Sequence, residues 1–161
     1  MTTEWKIAVA APDSADAVAV LRRYFADISS RYYRRPATDA DVDAAMAEEP
    51  SGNLVPPEGL FLIGHLDGLP RGCVGIRVLS AEITELTRMF VDAGARGHGG
   101  GDALLAAAEE AARVLGARTM RLDTRTDLVE ARRLYARHGY VEIPAYSDGR
   151  YAQHWFEKHL T

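Results

Sequence analysis

The residues whose types and spacing most clearly suit chemistry are Arg96-Gly97-His98-Gly99-Gly100-Gly101, set between a strand-like run, Glu85 to Val91, and a helical run beginning near Asp102. Glycines this dense let backbone N–H groups turn inward and approach a ligand with no Cβ in the way. The helix that follows adds the positive end of its dipole. That is anion-binding chemistry, and a pyrophosphate suits it best. Two common phosphate loops do not fit the letters. A P-loop ends in Gly-Lys-Ser/Thr, and no lysine follows these glycines. The dinucleotide fingerprint G-x-G-x-x-G fails as well, because Asp102 or Leu104 falls where its third glycine belongs. The bland alternative is a loop that only starts a helix.

Elements able to position this stretch follow from periodicity. Trp5 to Val9 alternates as a short strand, and Pro12-Asp13-Ser14 supplies turn and N-cap chemistry. Val18, Leu21, Phe25 and Ile28 then recur at helical spacing, followed by an aromatic and basic connector, Ser29 to Pro36. Thr38 to Glu49 reads as a second helix, with Thr38 and Asp41 spaced as a capping pair. Pro50 to Gly59 is loop. Leu60 to Leu66 and Gly72 to Leu79 form a hairpin around Asp67-Gly68-Leu69-Pro70, and Glu82 to Val91 is a third strand. Asp102 to Leu115 is a helix closed by Gly116, Thr119 to Thr124 a strand, and Glu130 to Arg137 a helix ending at His138-Gly139. Tyr140 to Ile143 and His154 to His159 finish as strands. A strand-helix-strand unit inside an otherwise antiparallel run implies an α/β fold: a mixed sheet with helices on both faces.

Composition narrows the function classes. At 161 residues and 47% hydrophobic, residues 1–161 suit a single domain with a full core. No apolar run is long enough to span a membrane, and the opening MTTEWK has no apolar signal core, so the cytoplasm is the expected location. The net charge of −4 argues against nucleic-acid binding and favours cationic partners. Cys73 is alone, which excludes an intrachain disulfide, and its apolar neighbours mark it as core. The five histidines show no metal-ligand spacing, so no metal is expected.

Arg96-x-x-Gly99-x-Gly101 matches the R/Q-x-x-G-x-G/A signature of the GNAT superfamily of acyl-CoA-dependent N-acetyltransferases. The segment Ala131 to Tyr140 resembles that family's A-x-x-L-Y-x-x-x-G-F/Y segment through Ala131, Leu134, Tyr135, Gly139 and Tyr140. The order of elements resembles the whole fold. The resemblance implies a splay between the fourth and fifth strands where the pantetheine of acetyl-CoA enters. Met89, Phe90 and Val91 would pair with its amides, and Arg96, Gly97, His98, Gly99, Gly100 and Gly101 would hold the pyrophosphate. Asp102, awkward beside a phosphate, is expected to point away.

Acetyl transfer needs a neutral amine, and at a lysine-like pKa of ~10.4 only about one amine in two thousand is neutral at pH 7. A base must be near. Alternation places Glu85 on one face with Thr87, Met89 and Val91, an apolar setting that would raise a carboxyl pKa, and the resemblance implies Glu85 as general base. Glu82 is the other candidate. The non-catalytic alternative is a strand residue paired with Arg88 or Arg121. Tyr135 holds the family's general-acid position, where its hydroxyl can protonate the leaving thiolate; otherwise it is packing. Some family members carry Asn where this chain has Leu128, so a side-chain contact to cofactor there is in doubt.

The acceptor side is less specified. Tyr32, Tyr33, Arg34 and Arg35 could cover the acceptor and hold a carboxylate, or be a solvated loop, and Tyr146 to Tyr151 could form the opposite wall. Trp5 and Trp155 read as core or interface. The expected partner is a small-molecule or peptide amine, and a homodimer is common in the family. The rivals are a non-catalytic acyl-CoA sensor or partner-binding module on the same fold, and a protein that uses the loop for ATP.

Overall fold

The computed structural model describes residues 4–160. Met1 to Thr3, part of the stretch read for a signal core, and Thr161 lie outside the described residues. In chain order the elements are β1 (Trp5–Val9), α1 (Ala15–Tyr33), α2 (Asp39–Glu48), β2 (Gly59–Leu66), β3 (Leu69–Val78), β4 (Ile83–Val91), α3 (Gly100–Val114), β5 (Thr119–Thr124), α4 (Val129–Arg137), β6 (Val141–Ile143) and β7 (His154–His159). The strands form one sheet in the order β1-β2-β3-β4-β5-β7-β6. Only β4 and β5 are parallel; all other neighbours are antiparallel. This is the mixed, mostly antiparallel sheet that the sequence implied, with helices on both faces.

Each face buries its own layer, because successive strand side chains point to opposite sides. Against α1 and α2 pack Phe61, Ile63, Cys73 and Phe90. Against α3 and α4 pack Leu62, Val74, Ile76, Leu86, Met120 and Leu122. No helix among the described residues is long and apolar enough to cross a membrane.

Several boundaries differ from expectation for physical reasons. α1 begins where the Ser14 hydroxyl accepts the Ala17 N–H, and it continues through Tyr33, absorbing most of the expected connector. Nothing in Ser29 to Tyr33 breaks a helix, whereas Arg34 turns left-handed and Pro36 then forbids continuation. The buried stripe of α1 is Ala17, Val20, Leu21, Phe25 and Ser29, so Val18, expected on it, faces outward. The capping pair of α2 is present: the Thr38 hydroxyl accepts the Asp41 N–H, and Asp41 accepts from the Thr38 N–H. The β2–β3 turn is only Asp67-Gly68, both left-handed, with Leu66 opposite Leu69. α3 starts at Gly100, inside the glycine run rather than near Asp102.

Two irregularities shape β4. Its pairing with β5 covers Ile83, Thr84 and Glu85 opposite Thr119, Met120 and Arg121, and stops there. Beyond this point the two parallel strands diverge. On its other edge the register with β3 shifts, so that Cys73 faces Phe90 and Gly75 faces Thr87. The extra residue makes a bulge at Arg88, which lies left-handed at φ 56°. A non-glycine residue there costs roughly 1–2 kcal/mol. The Arg88 side chain offsets this by donating to Ser51 Oγ at 3.2 Å, Thr87 Oγ1 at 2.9 Å and the Glu49 carbonyl at 3.1 Å.

Candidate active site

The bulge corrects the expected face of Glu85. Leu86, Met89 and Val91 contact the α3 layer, while Phe90 belongs to the α1 layer. Glu85 and Leu86 are neighbours and therefore opposed, so Glu85 does not share a side with Met89 and Val91. Alternation holds only up to the surplus residue.

Between the diverging strands lies a cleft of about 970 Å³, lined at one end by Arg96, Gly97, Gly99, Gly100 and Gly101. Gly97 and Gly99 adopt φ 82° and 77°, and a Cβ on either would project into open space. Gly99 is the N-cap of α3 and provides no side-chain cap. The first amides of α3 thus lack helical acceptors and point out of the helix end. Such a turn suits an anion. His98 is not among the lining residues; its carbonyl accepts the Trp5 indole N–H at 3.0 Å. A Cβ on Gly100 would run into the same indole. Trp5, read as core or interface, therefore sits directly under the turn and supports it.

Asp102, expected to point away, also lines the cleft, with its carboxylate turned toward the end of α4. Its carboxylate accepts from His138 at 2.7 Å and Arg137 at 2.9 Å, which hold its pKa below the usual range. The first turn of α3 is thereby tied to the end of α4. Leu128, at the N-cap of α4, lines the cleft and offers no cap bond.

Midway along the cleft the unpaired edge of β4, from Leu86 to Val91, presents backbone groups that β5 does not use. Tyr135 lines the cleft opposite, 5% exposed, with its ring 5.8 Å from that of Tyr140. Burial pushes its hydroxyl well above the ordinary tyrosine pKa, so it stays protonated at neutral pH.

The far end is built from side chains. Glu85 is 5% exposed; it is ion-paired with Arg77 and accepts from the Tyr146 hydroxyl at 2.7 Å. The surroundings are thus not apolar, and the cation is Arg77, opposite Glu85 in the β3–β4 register, rather than Arg88 or Arg121. Arg121 instead bonds Glu157 at 3.2 Å and lies over the Tyr146 ring. Burial and the charge of Glu85 push the Tyr146 hydroxyl up, and it remains a donor.

Asp123 was not singled out from the sequence. On β5 Met120 and Leu122 face the α3 layer. Alternation therefore puts Asp123 on the Glu85 side, the first such residue past the last β4–β5 pair. It is open to solvent within the cleft yet ringed by protein, and burial, then Glu85 and Glu49, push its pKa up to about 6. The strand alternation was a usable signal; the neighbouring charges were not.

The rim follows the sequence in part. Ser147 to Ala152 lines the cleft, as expected of the late turn. Tyr32, Tyr33, Arg34 and Arg35 do not line it. Arg35 turns to Asp41 at 2.6 Å and lies over the Tyr33 ring, while Tyr32 packs edge-on against Tyr151. Glu82, the second carboxylate considered, lies outside the cleft near Arg118. Cys73 is fully buried, donates to the Arg88 carbonyl at 3.2 Å, and has its thiol pKa raised by burial.

A parallel strand pair thus parts over a glycine turn, with a helix N-terminus at one end of the opening. Residues 22–140 match the acetyltransferase (GNAT) family, and the chain belongs to that family. A Klebsiella pneumoniae structure described as an acyl-CoA N-acyltransferase is 26% identical, with 98% of each chain covered and a TM-score of 0.74. PaiA N-acetyltransferase of Thermoplasma acidophilum, solved with coenzyme A, is 17% identical over 97% of this chain and 99% of its own, with a TM-score of 0.75. YncA of Salmonella typhimurium, an acetyltransferase solved with acetyl-CoA, is 18% identical over 98% and 95%, with a TM-score of 0.67. The last two likenesses are of fold alone. A search of curated proteins finds no match.

Proposed function

We propose that this chain, acting as one domain, moves an acetyl group from acetyl-CoA to a primary amine of a small molecule or peptide by direct transfer in a ternary complex. The observation that carries the reading is the shared opening: the amides of the glycine turn, the unpaired edge of β4 and Tyr135 all face one cleft. In it, Arg96 and the turn from Gly97 to Gly101 take the pyrophosphate, His98 through the backbone it shares with the turn. The free edge at Met89, Phe90 and Val91 takes the pantetheine amides. One of its N–H groups also steadies the thioester oxygen as charge develops there.

Tyr135 gives its hydroxyl proton to the departing sulfur. Glu85 serves removal of the acceptor's proton within a carboxylate pair, since Arg77 and Tyr146 already occupy its oxygens. No cysteine on the cleft could carry the acetyl group, because Cys73, on β3 beside β4, is fully buried and does not line it.

The test is a thiol-release assay with acetyl-CoA against amino acids, polyamines, aminoglycosides and peptides. Release with at least one amine class is expected. Tight CoA binding with no acetyl-CoA consumed across the panel would point to a sensor. A thermal shift with ATP and none with CoA would overturn the cofactor assignment.

A further inference from the structure

Glu85 and Asp123 are neighbouring carboxylates lining the cleft, and their surroundings differ. Glu85 is clamped, with Arg77 on one oxygen and the Tyr146 hydroxyl on the other. The Asp123 side chain is open to solvent within the cleft, makes no hydrogen bond or ion pair among the described residues, and feels its charged neighbours only at a distance. It also stands nearer the reacting region: Glu85 is the last β4 residue paired with β5, whereas Asp123 lies two positions past Arg121, inside the opening. A free carboxylate at the mouth of the splay, beside a clamped one, divides the work between them. We infer that Asp123 is the group that receives the proton of the acceptor ammonium, while Glu85 is a positioning residue that acts as its fixed negative neighbour. This deepens the transferase reading and rests on it.

The proton balance closes. One N–H bond of the ammonium breaks, its proton goes to an Asp123 oxygen, and the nitrogen keeps the electron pair. That pair forms the new C–N bond to the thioester carbon. The C–S bond breaks with its electrons on sulfur, and Tyr135 protonates the sulfur while taking the surplus proton from the new amide nitrogen. Asp123 then releases its proton to solvent. The net change is acetyl transfer with one proton released, and no further reactant is needed.

The groups that face Asp123 set the sign of its pH response. Glu85 from β4 and Glu49 from the end of α2 raise its pKa; Arg77 from β3 lowers it. Tyr135 from α4 and Tyr24 from α1 sense its charge but stay neutral, because burial raises both. Tyr146 from the β6–β7 connection also stays neutral. With a pKa of about 6, Asp123 is ionised and able to accept a proton above that pH and loses this ability below it. Burial is its largest cause, so removing the Glu85 charge lowers the pKa in part.

The experiment uses the full chain and two variants, Asp123→Asn and Glu85→Gln. The carboxyl carbon of Asp123, followed by NMR without substrate, should titrate near pH 6 in the parent and at lower pH in Glu85→Gln. With a productive amine, kcat/KM of the parent should fall below about pH 6. Asp123→Asn should lose that acid limb and roughly 100-fold or more in kcat, with CoA affinity unchanged and thermal stability equal or higher at pH 8. The stability sign follows because a carboxyl with a raised folded pKa disfavours folding once ionised.

An Asp123 midpoint near that of an ordinary exposed carboxylate, or an Asp123→Asn variant that keeps the acid limb and most of its turnover, overturns the inference. So does loss of the limb in Glu85→Gln alone. If the parent itself turns over no amine, the transferase reading fails instead. The NMR titration then still decides whether the two carboxylates are coupled as inferred.

Discussion

The two ends of the cleft are made of different material. At the end proposed for CoA the lining comes from one short stretch, Arg96 to Gly101, and its geometry is a matter of left-handed backbone and absent Cβ atoms. At the end proposed for the acceptor, Arg77, Glu85, Asp123 and Tyr146 arrive from β3, β4, β5 and the β6–β7 connection. There the arrangement is one of side chains, an ion pair and a hydroxyl around two carboxylates. A binding end written in backbone should respond to added atoms, and a reacting end written in side chains to changed protonation. Affinity and turnover should therefore separate cleanly.

The sharpest way to break that contrast is Tyr135→Phe. It should lower kcat by roughly 100-fold while leaving the Kd for CoA within about twofold by calorimetry. An equal loss of affinity would mean that Tyr135 packs against the cofactor and does no acid chemistry. Next is Gly99→Ala, which forces a Cβ onto a residue at φ 77°. A cost of roughly 1–2 kcal/mol corresponds to about tenfold weaker CoA binding, with kcat at saturating acetyl-CoA nearly preserved.

Trp5→Phe should be milder. It keeps an aromatic under Gly100 and removes the N–H that holds the His98 carbonyl. A bond worth about 1 kcal/mol predicts CoA binding weakened about fivefold and no shift in the pH profile. The smallest effect on either end should come from Thr38→Ala. Loss of the α2 cap should cost about 1 kcal/mol of stability, read as a lower Tm, and leave both Kd and kcat alone. Should it alter kcat, α2 reaches the reacting end more directly than the contrast allows.

The same division decides what the sequence could disclose. The glycine turn was legible because its meaning is local: the residues that matter are neighbours, and glycine is the residue that tolerates the conformation. The capping pair of α2 and the order of elements were legible for similar reasons. The acceptor end was not, because Arg77 meets Glu85 through β3–β4 register, which no spacing within either strand announces. Asp123 sat in a recognisable alternation, but its neighbours come from distant segments. The bulge was hidden because an arginine, not a glycine, takes the left-handed position, secured by tertiary hydrogen bonds.

That bulge fixes the length of β4 to the residue. Deleting Arg88 would remove the surplus residue and leave Met89, Phe90 and Val91 on the faces they now occupy, at the cost of the bulge and of the bonds that Arg88 makes to Ser51 and Glu49. Between Glu85 and the glycine turn, variation should be tolerated as exchanges of one side chain for another. One further residue there would invert the strand's far half, sending Phe90 toward α3 and turning Met89 and Val91 toward α1, whereas a loss is absorbed only at Arg88 itself.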